Sequence, residues 1–328
     1  MVRRLLQLPL ILLVVYTITL TLAWAIPGNP LESDGRRPPA EVEHAMRAQY
    51  KLDSFWAFYF SYLRNVTGAA WLLDGSRPAR PPPDAAAGAP ASRPIFNFGP
   101  SLQYEDWTVN DILLQALPVS MSLGAGAILV ALVLGVATGV AGASRPGSAL
   151  DQMALAVALL GISQPTFVIG TLLLLALAVW VPIFPVGGGG LAGAVLPVIT
   201  LSLPFAAYIT RLTRMGIAEQ LQADYVRTAR AKGASEARVL FGHALRNAIL
   251  PVVSYLGPAT AMAMTGSFVV EEVFSVPGLG QHFVNAVLNK DLFLIIGVVL
   301  VFSTMLILFN LAVDLLYKLV DPRIQGAA

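Results

Sequence analysis

The chain has 328 residues, of which 56% are hydrophobic and 12% charged, with a formal net charge of +2 and no cysteine. Soluble domains carry about 25% charged residues. Half that density over this length excludes a soluble enzyme and points to a polytopic membrane protein. The missing cysteines exclude disulfides, thiol catalysis, iron–sulfur clusters and Cys-ligated zinc, and the near-balanced charge leaves no basic footprint for nucleic acid.

A crossing helix needs about 20 mostly apolar residues, and six such stretches follow one another. The first, Leu5–Ala25, stands behind Arg3 and Arg4. It is longer than the core of a signal peptide, so it reads as a retained anchor. The others are Val119–Gly142, Leu155–Val181, Val195–Leu212, Ile249–Val270 and Leu292–Tyr317. The expected architecture is therefore all-α and polytopic. It divides into a first helix (1–26), a long non-membrane segment (27–111) and a five-helix core (112–328) that contains a basic loop at 213–248.

Between the first two stretches, Glu41–Tyr62 mixes seven aromatics with polar residues and reads as one amphipathic helix at the membrane surface. Residues 77–94 (RPARPPPDAAAGAPASRP) have no apolar period and read as an extended insert.

Orientation follows from Lys and Arg in short loops. One side holds Arg3, Arg4, Arg145, Arg211, Arg214, Arg227, Arg230, Lys232, Arg238, Arg246, Lys318 and Arg323; the short loops of the other hold only Lys290. Both termini are expected on the cytoplasmic side and segment 27–111 outside. Long loops such as this one, with Arg36, Arg37 and Arg64, translocate regardless of charge.

The loop Gln222–Pro251 is helical by composition, basic, and interrupted once at Gly233. Ser235 can cap a second helix, and Glu236 suits its positive end. Ala237, Leu240, Phe241, Ala244 and Ala248 recur at three- and four-residue spacing and form one apolar face. Two readings compete: a basic helix on anionic headgroups, or a docking helix that enters a groove on a partner.

Asp224-Tyr225-Val226-Arg227-Thr228-Ala229-Arg230-Ala231-Lys232-Gly233 resembles the coupling loop of ABC importer permeases, and more narrowly the dipeptide/oligopeptide/nickel permease family (binding-protein-dependent transport system inner-membrane component). The general importer signature is Glu-Ala-Ala, three residues, Gly, nine residues, Ile-x-Leu-Pro. Registered on Gly233, the first triplet is Arg227-Thr228-Ala229, and the closing element is His243-Ala244-Leu245-Arg246, which lacks the proline. Both departures look like the peptide-family variant. Glu271-Glu272-Val273-Phe274-Ser275-Val276-Pro277-Gly278-Leu279-Gly280, Ser163-Gln164-Pro165-Thr166-Phe167, and Asn310, Asp314, Tyr317 with Asp321-Pro322-Arg323 are similar to other parts of the same family. The resemblance covers 1–26 and 112–328; the insert at 77–94 has no counterpart in it.

The resemblance implies a type I ABC importer permease fold with six transmembrane helices, and import of peptides. It implies a related second permease chain in a heterodimer, two cytoplasmic ATPase subunits and an external substrate-binding protein. It implies that Asp224, Tyr225, Arg227, Thr228, Ala229, Arg230, Lys232, Gly233, Ala234, Leu240, Phe241, His243 and Leu245 couple to the ATPases. Residues alone add that no Gly-x-x-x-x-Gly-Lys-[Ser/Thr] loop occurs, so ATP and Mg²⁺ belong to partner subunits and this chain carries no cofactor and no catalytic group of its own. His44, His243 and His282 have no metal-ligand spacing.

Gly135-x-x-x-Gly139 reads as a helix-packing face. Glu271 and Glu272, with Pro277, Gly278 and Gly280, either line a pore mouth or bond loop backbone; the bonding role is favoured. Pro165, Pro204, Pro251 and Pro258 read as structural kinks. Ionisable residues deep in the spans are nearly absent, which disfavours an ion-coupled secondary transporter. A membrane-embedded enzyme would need a catalytic cluster, and an ABC exporter would lack this loop. Nickel and glutathione remain alternative cargoes within the family.

Overall fold

A computed structural model describes residues 2–32, 38–74, 94–104, 106–185, 187, 190–265 and 268–320. Residues 77–93 of the insert read at 77–94, and Asp321-Pro322-Arg323, lie outside the described residues. No strand occurs among those described; Pro100 and Thr108 form an isolated bridge. The helices are α1 (Val2–Ala25), α2 (Ala40–Tyr50), α3 (Phe55–Val66), α4 (Ala69–Asp74), α5 (Val109–Ser144), α6 (Ala149–Ser163), α7 (Thr166–Leu174), α8 (Leu191–Gln220), α9 (Asp224–Ala231), α10 (Leu245–Ala248), α11 (Leu250–Thr265), α12 (Phe268–Val273), α13 (Leu279–Leu288) and α14 (Leu292–Val320). Two π-helical segments, Leu175–Trp180 and Arg238–Ala244, extend α7 and precede α10.

Among the described residues, four helical stretches are long and apolar enough to cross a bilayer unbroken: Gln7–Ala25, Val109–Ser144, Leu191–Gln220 and Leu292–Ala312. Two more candidates are bent pairs, so the total is six if each pair is one crossing. The stretch read from sequence as a single span at 155–181 is one of these. Its halves, Asp151–Ser163 and Thr166–Trp180, meet at 106°. Pro165 explains the break: it lacks an N–H and forces its predecessor out of the helical region, and Gln164 is extended at φ −91°, ψ 137°. The other pair, Arg238–Ala248 and Leu250–Met264, bends by 49°, with Pro251 in the first turn of α11, where a missing N–H is tolerated.

The chain divides into two compact units. The first comprises residues 1–116 and 282–303, the second 117–281 and 304–328. In the first, the region read as one amphipathic helix at 41–62 is two helices. Leu52 N donates to Arg47 O at 3.0 Å, and Lys51 takes a left-handed conformation, φ 57°. This is the wrapped closure of a helix C-terminus. The reason is burial: α2 buries no residue, whereas Leu52, Phe58 and Tyr62 are buried, so the chain turns to present the aromatic face of α3 inward. Tyr62 stacks on Tyr16 of α1 and on Phe58, with centroids 5.9 and 5.6 Å apart. The Tyr16 hydroxyl donates to Tyr59 O at 2.7 Å, satisfying the polar tip of a buried ring.

In the second unit, α8 is the centre. Helices α6, α7, α10 and α11 all pack on it, and its buried residues include Leu196, Leu201, Phe205, Ile209 and Ile217. The first four join Leu123, Ala127 and Ala131 of α5 and Val252, Ala259 and Ala263 of α11 in one apolar core, while Ile217 packs with Val140, Ala143 and Ala248. At Gly135 and Gly139 α5 approaches α8 closely. An added Cβ would lie 2.8 Å from Ala206 O and 2.8 Å from Thr210 O, respectively. Beside this crossing, the Thr138 and Thr210 hydroxyls meet at 2.6 Å, the interhelical bond such close packing permits.

Candidate functional site

The loop at 213–248 forms a helix, an elbow and a second helical segment. Helix α9 starts with Asp224 at its positive end, and Arg230 lies in its last turn, the charge order that suits the helix dipole. It anchors through Val226, which is fully buried. Tyr225 ties three pieces together: its hydroxyl donates to Gln220 Oε1 at 2.6 Å and accepts from Asn247 Nδ2 at 3.1 Å. Gly233 makes the elbow with φ 81°, a conformation that costs an L-residue roughly 1–2 kcal/mol. Nothing lies within 4 Å of where its Cβ would be, so the need for glycine there is conformational.

Across the elbow, the Arg230 guanidinium donates to both carboxylate oxygens of Glu236, at 2.9 and 3.0 Å. This pairing holds the Glu236 carboxyl below its ordinary range. The bidentate geometry sets the angle between the two segments more than it adds stability, since water screens an exposed pair.

Beyond the elbow the register differs from the helical face read in the sequence. Arg238–Ala244 is π-helical, and Leu245 N bonds to Leu240 O. With the wider turn, the buried set becomes Val239, Ala244 and Ala248. Ala237 is exposed, and Leu240 is half-buried against Val140, Ala143, Ile217 and Ala248. Phe241 remains 59% exposed. Among the other loop residues, Asp224, Tyr225, Arg227, Thr228, Arg230, Lys232, Gly233 and His243 are exposed, while Ala229, Ala234 and Leu245 are half-buried. The loop thus presents a polar, mostly cationic surface with one large apolar ring. Phe241, Leu240 and Leu245 also border an apolar groove of about 890 Å³ whose other walls include Val136, Val140 and Ile249.

One pair that the sequence reading did not join lies at the base of this loop. Asp151, 2% exposed in α6, accepts from Arg214 Nε at 2.5 Å and Nη2 at 2.8 Å, and from Gly147 N at 2.9 Å. This pair clamps α6 to the end of α8 from which the loop emerges. No sequence signal marks it, because the partners stand 63 positions apart.

The segment 271–280 is a turn built around one carboxylate. Glu271 is fully buried and accepts from Gly280 N at 2.7 Å and Gln281 N at 3.3 Å. Those are free donors at the start of α13, so the side chain closes the helix terminus. Ser120 Oγ accepts from Leu279 N at 2.9 Å. Gly278 and Gly280 are buried, and a Cβ on Gly278 would collide with the Glu271 carboxylate and the Ser120 hydroxyl. Glu272 and Pro277 are exposed. Of the two adjacent glutamates, one is built into the turn and the other faces outward.

The model of the binding-protein-dependent transport system inner membrane component family matches residues 116–326. The chain is 37% identical over 327 residues to the oligopeptide transport system permease protein OppB of Haemophilus influenzae, covering 98% of each. It is 36% identical to the dipeptide transport system permease protein DppB of Bacillus subtilis, covering 99% of this chain and 97% of that one. Among solved structures, an amino acid ABC transporter with histidines superposes with a TM-score of 0.51 at 17% identity, over 64% of this chain and 94% of the other.

Proposed function

Because the chain belongs to the family of binding-protein-dependent transport system inner-membrane components and has the type I permease fold, we propose that it is the membrane-spanning subunit through which an ATP-driven importer passes peptides. The observation that carries the cargo class is identity along the whole chain to oligopeptide and dipeptide permeases. The ion-coupled alternative is not favoured, and nickel or glutathione are the competing cargoes within the family.

On this reading both termini are cytoplasmic and segment 27–111 faces outward. The loop 213–248 docks on an ATPase subunit, and ATP and Mg²⁺ are held there. Phe241 is the apolar contact, and Arg227, Lys232 and His243 form the polar surround. The rigid elbow at Gly233 passes the movement of the ATPase through α9 and Tyr225 to α8, whose packing on α6 and α11 turns it into a switch between two arrangements of the spans. A second, related permease completes the pathway as a heterodimer, and an external binding protein delivers the peptide and sets selectivity.

The test is reconstitution in liposomes with the sister permease, both ATPase subunits and the binding protein. Uptake of labelled peptide should require ATP and every one of these subunits. In the same vesicles Phe241→Asp should abolish uptake without reducing the amount of inserted protein. Uptake by this chain alone under a proton gradient would refute the assignment.

A further inference from the structure

Just beyond the apolar run of α1, the first unit contains a cavity of about 190 Å³ walled by Trp24, Ile26, Leu52 and Leu292 and by the cations Arg47 and Lys290. A water molecule occupies about 30 Å³ of liquid, so the space admits a larger polar group. The two cations differ. Arg47 is committed: its guanidinium donates to Glu43 Oε1 at 3.0 Å and Asn29 Oδ1 at 3.1 Å, and lies 3.8 Å from Asp53. The half-buried Lys290 ammonium has no hydrogen-bond or ion-pair partner among the described residues.

Its neighbour in sequence, Asp291, is turned elsewhere. That carboxylate accepts from Ser101 Oγ, Leu102 N and Leu294 N. Lysine stems ordinarily carry their charge out to water. Here Lys290 is left-handed, φ 60°, where the chain wraps the end of α13 and Asp291 N donates to Ala286 O at 2.9 Å, and Gly28, without a Cβ, leaves the space that the Lys290 side chain enters. A methyl on Gly28 would collide with the Lys290 ammonium. One cation without a partner among the described residues thus lies at a cavity that stays open because position 28 carries no side chain, and such an uncompensated charge is a reason to look for a ligand.

The position of the cavity identifies the ligand. Leu10, Ile11, Leu13, Val14, Ile18 and Leu22 of α1 are exposed along the span that ends at Ala25, and in a bilayer such a strip meets acyl chains. Trp24 stands at the end of that span, the interfacial position that tryptophan favours. We propose that this cavity binds the headgroup phosphate of an anionic phospholipid, with Lys290 as its cation and the acyl chains along the exposed strip of α1. A net-anionic headgroup fits better than a zwitterionic one. Among the described residues, the acids nearest the cavity's Arg47, Glu43 and Asp53, are turned to that guanidinium and do not favour a headgroup ammonium.

The test is native mass spectrometry of the full transporter complex. It is extracted from nanodiscs of phosphatidylethanolamine with and without phosphatidylglycerol, carrying this chain as wild type, Lys290→Gln or Lys290→Arg. The wild type and Lys290→Arg should retain phosphatidylglycerol in preference to phosphatidylethanolamine, and Lys290→Gln should retain about five-fold less. Equal thermal unfolding of the three proteins in phosphatidylethanolamine alone shows that the fold is intact. Equal retention of phosphatidylglycerol by Lys290→Gln, or no preference between the two lipids in the wild type, overturns the proposal. Displacement of the lipid by inorganic phosphate would assign the cavity to a soluble anion and also overturn it.

Discussion

Arg214 on α8 grips the carboxylate of Asp151 on α6 through two guanidinium nitrogens, at 2.5 and 2.8 Å, with Asp151 only 2% exposed. A paired charge at such a site contributes little net stability, but one left alone is costly. Arg214→Gln should therefore destabilise the protein and lower its unfolding midpoint. The double variant Asp151→Asn, Arg214→Gln should recover most of that loss. Chemical unfolding of the four proteins in detergent measures the coupling, and additive losses would contradict it.

The close approach of α5 to α8 admits no side chain at the crossing. A Cβ at Gly139 would meet Thr213 and the Thr210 carbonyl, and a helix carbonyl cannot rotate away. Gly139→Val should cost about 1–3 kcal/mol. Gly147→Ala, whose Cβ would meet nothing within 4 Å, should avoid that clash and pay only for its left-handed backbone. Thermal unfolding of both variants checks the comparison.

Glu271 closes α13 from a fully buried position. Removing it in Glu271→Ala leaves the Gly280 and Gln281 N–H groups without their acceptor, at about 1–3 kcal/mol. Glu272→Ala, on the exposed side, should leave stability unchanged. Unfolding midpoints distinguish the two, and equal losses would mean that the turn does not depend on Glu271.

The left-handed conformation at Gly233 makes that position sensitive while its surroundings stay indifferent. Gly233→Val should insert into membranes normally and bind the ATPase subunits poorly, with peptide uptake reduced about five- to thirty-fold, the effect of roughly 1–2 kcal/mol of backbone strain. ATPase co-purification together with uptake checks this; normal uptake at normal protein level would rule out the elbow as the coupling device.

Burial pushes the Asp291 carboxyl up from its ordinary value, against the lowering effect of its bonds to Ser101, Leu294 and Leu102. The folded state then holds the proton more tightly than the unfolded chain. Stability from this group is complete below the ordinary carboxylate range and declines as pH rises from there through the raised folded value. Asp291→Asn should flatten that slope in thermal unfolding against pH.

Much of the architecture was legible in the sequence, because apolar length alone decides which stretches can cross a bilayer. Val119–Gly142 and Leu292–Tyr317 lie within α5 and α14, and Val195–Leu212 within α8. The elbow was legible for a similar reason: glycine is the residue that adopts φ 81° without penalty. The 106° break in the third stretch was less so. Pro165 was visible, but proline in a span can kink a helix mildly or end it, and only the packing around it chooses.

What the sequence determined by itself is local: composition, apolar length, and the residues that permit a turn. What tertiary structure decided is every pairing between distant segments and the register that packing imposes. The π-helical turn at Arg238–Ala244 keeps Ala244 and Ala248 of the expected face buried, adds Val239 and leaves Ala237 exposed. It leaves Phe241 outside and draws Leu240 toward Val140 and Ile217. A periodicity argument assumes 3.6 residues per turn, and only contact with α5 and α8 selects the wider one. Asp151 with Arg214, and Ser120 with Leu279, are likewise meetings of segments that no local rule brings together, since the energy that selects them is the cost of burying a polar group without its partner.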